Sequence, residues 1–113
     1  MQIEDKRMGN ILVVRPLDAR IDASSAPDFK GRMLDWIQEG NASILLDLSE
    51  VDFIDSSGLG AIVSSLKAVG HEGDLVICGV RETVMSLFRL TRMNRVFQIF
   101  ASEQEALREM AGR

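Results

Sequence analysis

The sequence is poor in the residues that build metal and cofactor sites. Among its 113 residues there is one cysteine, Cys78, and one histidine, His71. A single cysteine excludes an internal disulfide and a cysteine-based zinc site, and one histidine with scattered acids gives no metal-ligand spacing. The chain also lacks the phosphate-binding patterns G-x-x-x-x-G-K-[ST] and G-x-G-x-x-G. We therefore expect no metal ion and no cofactor.

Excess basic charge and long apolar runs are also missing. The chain has 13 basic and 17 acidic residues, a formal net charge of −4. This disfavours nucleic-acid binding, which needs basic surface to displace counterions. No apolar run approaches the roughly 20 residues of a membrane span, and the N-terminus does not resemble a signal peptide. The composition, 46% hydrophobic and 27% charged, predicts one globular domain over residues 1–113, located in the cytoplasm.

The most informative stretch of the sequence is Ser43–Val69. Its Ile44–Leu46 segment is a continuous apolar run, which is typical of a strand buried on both faces. From Leu59 onward the apolar residues recur with the spacing of a helix. Asp55–Gly58 interrupts the pattern between them, and another buried strand is predicted at Leu75–Cys78. A strand, helix and strand in this order predict a crossover between parallel neighbours.

The rest of the chain predicts elements that complete a small α/β domain. We expect a mixed β-sheet of four to five strands with helices packed mainly on one face. Alternating residues, turn signals and helical spacing predict a hairpin from Met1–Arg7 and Ile11–Val14, a helix from a Ser25–Asp28 capping box to about Gly40, a helix over Arg81–Arg92, a strand over Val96–Phe100 and a last helix capped by Ser102.

The helix after Asp55 has an unusual polar face. Ser57, Ala61, Ser64 and Ala68 lie opposite its apolar side, and we call these four residues the small-residue stripe. An ordinary solvated face would carry Lys and Glu. The stripe is interpreted either as a second buried face or as an exposed surface onto which another protein docks. We favour docking, because serines gain little from burial in a core.

The start of this helix also carries more polar residues than capping requires. Ser56 or Ser57 is expected at the N-cap, where a hydroxyl accepts a bond from a free backbone N–H. A capping role alone would leave the other serine and Asp55 unexplained. A phosphate on a serine here would be stabilised by the helix N-terminus. It would also add about −1.5 to −2 charges to a surface that a partner touches, which describes a switch.

The segment DFIDSSGLGAI resembles the signature of the STAS domain, specifically of bacterial anti-sigma factor antagonists. The likeness also covers LDARIDASSAPDF and FRLTRMNRVFQIFASEQEAL, nearly the whole chain. It implies that Ser56 is phosphorylated by a GHKL-type ATPase that is both serine kinase and anti-sigma factor, with Asp55, Ser57 and Gly58 supporting the transfer. The unphosphorylated form would bind this partner and free the sigma factor, and a phosphatase would restore it.

The resemblance implies partner contacts as well, at Asp22 and Gly60 in addition to the small-residue stripe of Ser57, Ala61, Ser64 and Ala68. Family members often carry Gly-Glu-Leu-Asp where this chain reads Ala19-Arg20-Ile21-Asp22. Asp22 matches that pattern, but on sequence alone it is typical of a turn or capping residue. Arg92 stands where a glycine often follows Leu-Thr, so a helix end without a left-handed glycine is expected. The oligomeric state is expected to be a monomer or a weak dimer.

Alternatives to this function differ in what they require of the chain. A serine hydrolase would need His71 near Ser56, yet a helix rise of 1.5 Å per residue separates them by roughly 20 Å. A nucleotide-binding module would have to rely on the backbone amides of residues 57–60. A non-phosphorylated STAS scaffold, or a regulatory subunit of a stress-sensing or membrane transport complex, keeps the fold and changes the role. In the simplest alternative the chain is an interaction domain and Asp55–Gly58 is only a cap.

Overall fold

A mixed five-stranded sheet forms the frame of the protein. The computed structural model describes all residues 1–113. The strands and helices are β1 (Ile3–Met8), β2 (Ile11–Pro16), β3 (Arg20–Ile21), α1 (Ala26–Gln38), β4 (Ser43–Asp47), β5 (Phe53–Ile54), α2 (Ser56–Val69), β6 (Asp74–Cys78), α3 (Glu82–Leu90), β7 (Ile99–Phe100) and α4 (Glu103–Ala111). The order in the sheet is β1-β2-β4-β6-β7, and β3 pairs separately with β5.

The pairing of the strands confirms the predicted hairpin and crossover. β1 runs antiparallel to β2 with Met8 opposite Ile11, and Gly9 in the turn has φ +63°, a conformation that favours glycine. β2, β4, β6 and β7 are parallel to one another, so α2 is the crossover from β4 to β6. The short parallel pair of β3 and β5 was not predicted, and it lies directly before α2.

Two apolar clusters cover the two faces of the sheet, because successive side chains of a strand point to opposite faces. In β4, Ile44 and Leu46 point into the larger cluster, which α1, α2 and α3 cover. Leu45 points into the smaller cluster, where Ala106 and Met110 of α4 pack. Three helices therefore lie on one face and one on the other, as the predicted arrangement required.

Helix and strand ends show where local prediction failed. The capping box at Ser25 is wrong: its hydroxyl accepts a bond from the Asp22 N–H (3.1 Å), and no side chain caps α1. The Ser102 cap is confirmed by a bond from the Glu105 N–H (3.1 Å). The predicted strand over Val96–Phe100 is shorter than expected. The side chain of Phe97 is instead buried in the core, where the centre of its ring lies 6.2 Å from the centre of the Phe88 ring.

Cys78 is a core residue, as its sequence context suggested. It lies in β6 and is completely buried. Burial raises the pKa of its thiol to about 12, and the nearby Asp47 carboxylate adds to the shift. The thiolate, which is the reactive form of cysteine, is therefore suppressed in the folded protein.

None of the four helices is both long enough and apolar enough to cross a lipid bilayer.

The packing of α4 on the second face of the sheet gives the first testable prediction. Met110 is 6% exposed in the smaller cluster, so Met110→Ala should lower the free energy of unfolding by about 2 kcal/mol or more, measured by urea denaturation. Arg108→Ala, on the exposed side of the same helix, should change it by less than about 0.5 kcal/mol. Equal effects of the two substitutions would contradict this packing.

Candidate functional site

The N-terminus of α2 is held in place by one carboxylate. Asp55 is the N-cap residue, and its Oδ1 accepts a hydrogen bond from the Gly58 N–H (2.9 Å). Its Oδ2 accepts a second bond from the Ala23 N–H (3.1 Å), in the segment that follows β3. Asp55 thus joins the start of α2 to a loop more than 30 residues earlier in the chain. The expectation that Ser56 or Ser57 is the cap is wrong, because Asp55 already occupies that position.

This cap leaves both serine hydroxyls free. Ser56 and Ser57 are the first two residues of α2, both are exposed, and neither side chain bonds to another protein group. Backbone N–H groups in a first helical turn have no acceptor within the helix, and the helix dipole places partial positive charge there. The tip of α2 therefore presents two accessible hydroxyls in a setting that favours an anion.

Gly58 is required by a close approach between α2 and β3. A Cβ atom at this position would lie 2.4 Å from the Ile21 carbonyl oxygen and 2.8 Å from Cγ2 of Ile54. Both distances are shorter than any ordinary contact, so only glycine lets the first turn of α2 rest against the β3–β5 pair. Gly60, two residues later, has no atom within 4 Å of its hypothetical Cβ and is exposed.

Asp22 shapes the loop that Asp55 binds. Its Oδ1 accepts hydrogen bonds from the Ser24 hydroxyl (2.7 Å) and the Ser24 N–H (3.1 Å). These bonds lower the pKa of the Asp22 carboxyl, and a hydrogen bond from Arg20 contributes. The turn role expected for Asp22 from sequence alone is therefore confirmed. Its side chain remains 28% exposed, next to the Ala23 amide that Asp55 binds.

A stacked pair of side chains borders the same loop and was missed by the sequence analysis. The guanidinium carbon of Arg20 lies 4.0 Å from the centre of the Phe53 ring, because these residues are register partners in the β3–β5 pair. Phe53 is 39% exposed. The signal available in the sequence was alternation: Ile54 points inward, so Phe53 must point outward.

The small-residue stripe is only partly exposed. Ser57 and Ala68 are exposed and Ser64 is half-buried, but Ala61 is only 5% exposed and belongs to the core. The expectation that position 61 is exposed is therefore wrong: α1 packs against α2, and Ala61 belongs to the cluster that both helices cover. The interpretation as a buried face is confirmed at Ala61, and the docking interpretation applies only to the exposed members. Ser65, outside the stripe, is completely buried and donates to the Ala61 carbonyl oxygen (2.9 Å).

A groove runs along the exposed part of the stripe. It has a volume of about 420 Å³, and its walls are the first turns of α1 and one side of α2. The α2 wall was expected from the sequence, whereas the α1 wall was not. The lining residues are Ala23, Ala26, Pro27, Lys30, Ser57, Gly60, Ala61 and Ser64.

Two of the residues singled out in the sequence lie away from this site. Ala68 is in the last turn of α2 and does not line the groove. His71 follows the C-terminus of α2, whereas Ser56 begins that helix. The helix thus separates the histidine from the serine, as the argument against a hydrolase requires.

The fold and the site define a small α/β domain that presents a helix tip beside a groove. Residues 2–106 match the STAS domain family, and the chain belongs to that family. It is 30% identical over 112 residues to the anti-sigma F factor antagonist of Paenibacillus polymyxa, covering 97% of this chain and 95% of that protein.

Solved structures agree with this assignment. The crystal structure of TM1081 from Thermotoga maritima has a TM-score of 0.88 and 28% identity, covering 95% of this chain and 92% of that chain. The anti-sigma factor antagonist SpoIIAA in its unphosphorylated form has a TM-score of 0.75 over 99% of this chain and all of that chain. At 18% identity the latter likeness concerns the fold alone.

The contrast between the two glycines of α2 gives a matched pair of substitutions. Gly58→Ala should lower the free energy of unfolding by about 1–3 kcal/mol, because the added methyl group overlaps the Ile21 carbonyl oxygen. Gly60→Ala should raise it by about 0.5–1 kcal/mol, because alanine is the better helix former and the space is open. Urea denaturation measures both. A neutral Gly58→Ala would mean that α2 does not rest against β3 as described.

Proposed function

We propose that this protein is an anti-sigma factor antagonist that acts by partner switching in the cytoplasm. In its unphosphorylated form it binds an anti-sigma factor that is also a serine kinase of the GHKL ATPase type. Phosphorylation of Ser56 releases it, and a phosphatase restores the binding form. The observation that carries this proposal is the free, exposed hydroxyl of Ser56 at a helix tip whose cap is supplied by Asp55.

The relatives support the general role. The Paenibacillus polymyxa protein is named an anti-sigma F factor antagonist, and it aligns along almost the whole chain. Both alignment and fold cover the segments before β3 and after α3, so the likeness is not restricted to one short motif. A regulatory binding protein that acts on transcription through its partner also suits a net charge of −4, which disfavours direct contact with nucleic acid.

Asp55 acts in this proposal as a positioning residue. Each of its carboxylate oxygens already accepts a bond from a backbone amide. One donor is Gly58, two residues after Ser56, and the other is Ala23, in the loop after β3. Gly58 has a related role, since it allows the first turn of α2 to approach β3. Both residues would support phosphoryl transfer by holding the Ser56 hydroxyl at a fixed place for the kinase of the partner.

The groove beside Ser56 is the proposed contact surface. Ser57 and Gly60 are exposed there, with Ser64 half-buried, and Asp22 lies at the adjoining loop. Small side chains let a partner approach the helix closely. A phosphate on Ser56 would add about −1.5 to −2 charges at the edge of this contact. The phosphate would add to the negative charge of the nearby Asp22 and Asp55 side chains. Together these groups would repel any acidic group of the partner.

Substitution of the two serines tests the switch. Ser56→Ala should abolish phosphorylation of the protein in the source cell, as measured by intact-mass spectrometry and site mapping. The same substitution should leave binding of the anti-sigma factor intact. Ser57→Ala removes the other free hydroxyl and should leave Ser56 as the phosphorylated residue, at a reduced level because Ser57 supports the transfer and lines the contact groove. Ser56→Asp should weaken binding, although one carboxylate imitates a phosphate imperfectly.

The partner itself is identified by a pull-down from the source cell with Ser56→Ala as bait. Recovery of a GHKL-type ATPase supports the proposal. Recovery of membrane transport subunits without such an ATPase would favour a scaffold role. Continued phosphorylation of the Ser56→Ala variant at Ser57 would move the switch to the neighbouring hydroxyl and contradict the assignment to Ser56.

An arginine in the groove tests the contact surface. Gly60→Arg should abolish binding of the recovered anti-sigma factor, because a large charged side chain would project from an exposed point of α2. Helix formation itself favours arginine over glycine, so the thermal midpoint should not fall. Gln104→Arg, at an exposed position of α4, adds the same charge elsewhere and should bind normally. Normal binding by Gly60→Arg would exclude the groove as the contact.

A further inference from the structure

A second surface lies at the opposite edge of the sheet from Ser56. α3 starts at the C-terminal edge of the parallel strands, where Thr83 Oγ1 donates to the Asp52 carbonyl oxygen (2.8 Å). It then runs toward the N-terminal edge, because β7, which follows, is parallel to β6. The end of α3 and the turn after it are therefore far from the tip of α2, which leaves the C-terminal edge.

Arginines and exposed apolar side chains are concentrated at this edge. We define the arginine patch as Arg89, Leu90, Arg92, Arg95 and Val96. Leu90 is 83% exposed and Val96 53% exposed, the two highest values among the large hydrophobic residues. Exposed apolar groups that lie together and are bordered by charge often mark interaction sites.

The charge of the patch is opposite to that of the whole chain. No Asp or Glu occurs between Thr83 and Ser102, although the protein has a formal net charge of −4. Glu82 neutralises Arg89 through an ion pair of 2.5 Å. Arg92 and Arg95 are exposed and form no ion pair, so two guanidinium groups remain available to a ligand.

The backbone at Arg92 is strained. Arg92 has φ +62° and ψ +20°, and it is the only residue other than glycine with a positive φ. This left-handed conformation is unfavourable for a side chain with a Cβ atom and costs a glycine little. A strained residue in a native structure suggests that its side chain is used. The strain at Arg92 thus points to the same surface as the charge and the exposed apolar groups.

We propose that the arginine patch binds an acidic protein segment that also carries apolar side chains. The guanidinium groups of Arg92 and Arg95 would pair with carboxylates, which match arginine geometry. Leu90 and Val96 would become buried against the apolar side chains of the same segment. Because the patch lies across the molecule from Ser56, this contact does not depend on the phosphorylation switch.

Other ligand classes fit the patch less well. Nucleic acid would be repelled by the net negative charge of the protein. Two unpaired arginines neutralise too few phosphates to release many counterions. An anionic membrane surface would repel the net negative chain. An acidic protein segment needs only a local match of charge and apolar area, which the patch supplies.

The experiment uses a synthetic amphipathic peptide as the probe. The peptide has leucines at helical spacing and glutamates on its other face, and a second peptide replaces each glutamate with lysine. Both are titrated into the full-length protein and followed by amide NMR shifts. The glutamate peptide should shift residues within 87–97 and leave the tip of α2 unchanged. The lysine peptide should shift neither region.

Arg92→Gly separates the proposed role from a structural one. Relief of the left-handed strain should raise the thermal midpoint by about 4 °C, while loss of the guanidinium should weaken binding of the glutamate peptide about tenfold. Leu90→Ser should weaken binding without changing the charge. Arg108→Ala, an exposed arginine on α4, removes the same charge elsewhere and should bind within twofold of the parent protein.

Three results would overturn the proposal. The first is unchanged binding of the glutamate peptide to both Arg92→Gly and Leu90→Ser. The second is a set of NMR shifts that maps outside the patch. The third is that phosphatidylglycerol vesicles bind the patch while the glutamate peptide does not, which would assign the surface to lipid.

Discussion

Everything at the proposed site depends on the two hydrogen bonds of the Asp55 carboxylate. One oxygen accepts a bond from the Gly58 N–H and caps the start of α2. The other accepts a bond from the Ala23 N–H and connects that start to the loop after β3. Because a single side chain makes both bonds, the helix tip and the loop are joined into one unit. Gly58 completes the unit by removing the side chain that would otherwise hold α2 away from Ile21. A hydroxyl placed on such a unit has a fixed position without taking any part in holding the fold together.

This arrangement is compatible with a stable core because the residues of the core and those of the proposed site lie in different parts of the molecule. The apolar runs of β2, β4 and β6 fill clusters on both faces, and none of the residues at the helix tip contributes a large side chain to them. Serine at positions 56 and 57 therefore costs the core nothing. The groove between α1 and α2 exists for a related reason, since the small residues of α2, together with Ala26 of α1, leave space where larger ones would have closed it.

The main elements of the fold could be predicted from the sequence because they follow from repeating patterns. Continuous apolar runs marked the parallel strands, and helical spacing marked α2. What could not be predicted depends on contacts between distant segments. The bond from the Ala23 N–H to Asp55 joins segments 32 residues apart, and the burial of Ala61 belongs to the packing of α1 against α2. Neither can be read from local spacing. Alternation indicates that Phe53 points outward, but its contact with Arg20 exists only through the β3–β5 pair.

The burial of Cys78 makes the protein its own reporter of unfolding. The chain has no other thiol, and this one is fully enclosed in the central sheet, with its ionisation suppressed. A thiol reagent should therefore label only molecules whose sheet has opened. At reagent concentrations where labelling is faster than reclosing, the labelling rate measures the frequency of that opening, so kinetic stability can be followed without attaching any probe. It also follows that a cysteine introduced at the surface can be labelled selectively while the native sheet stays closed.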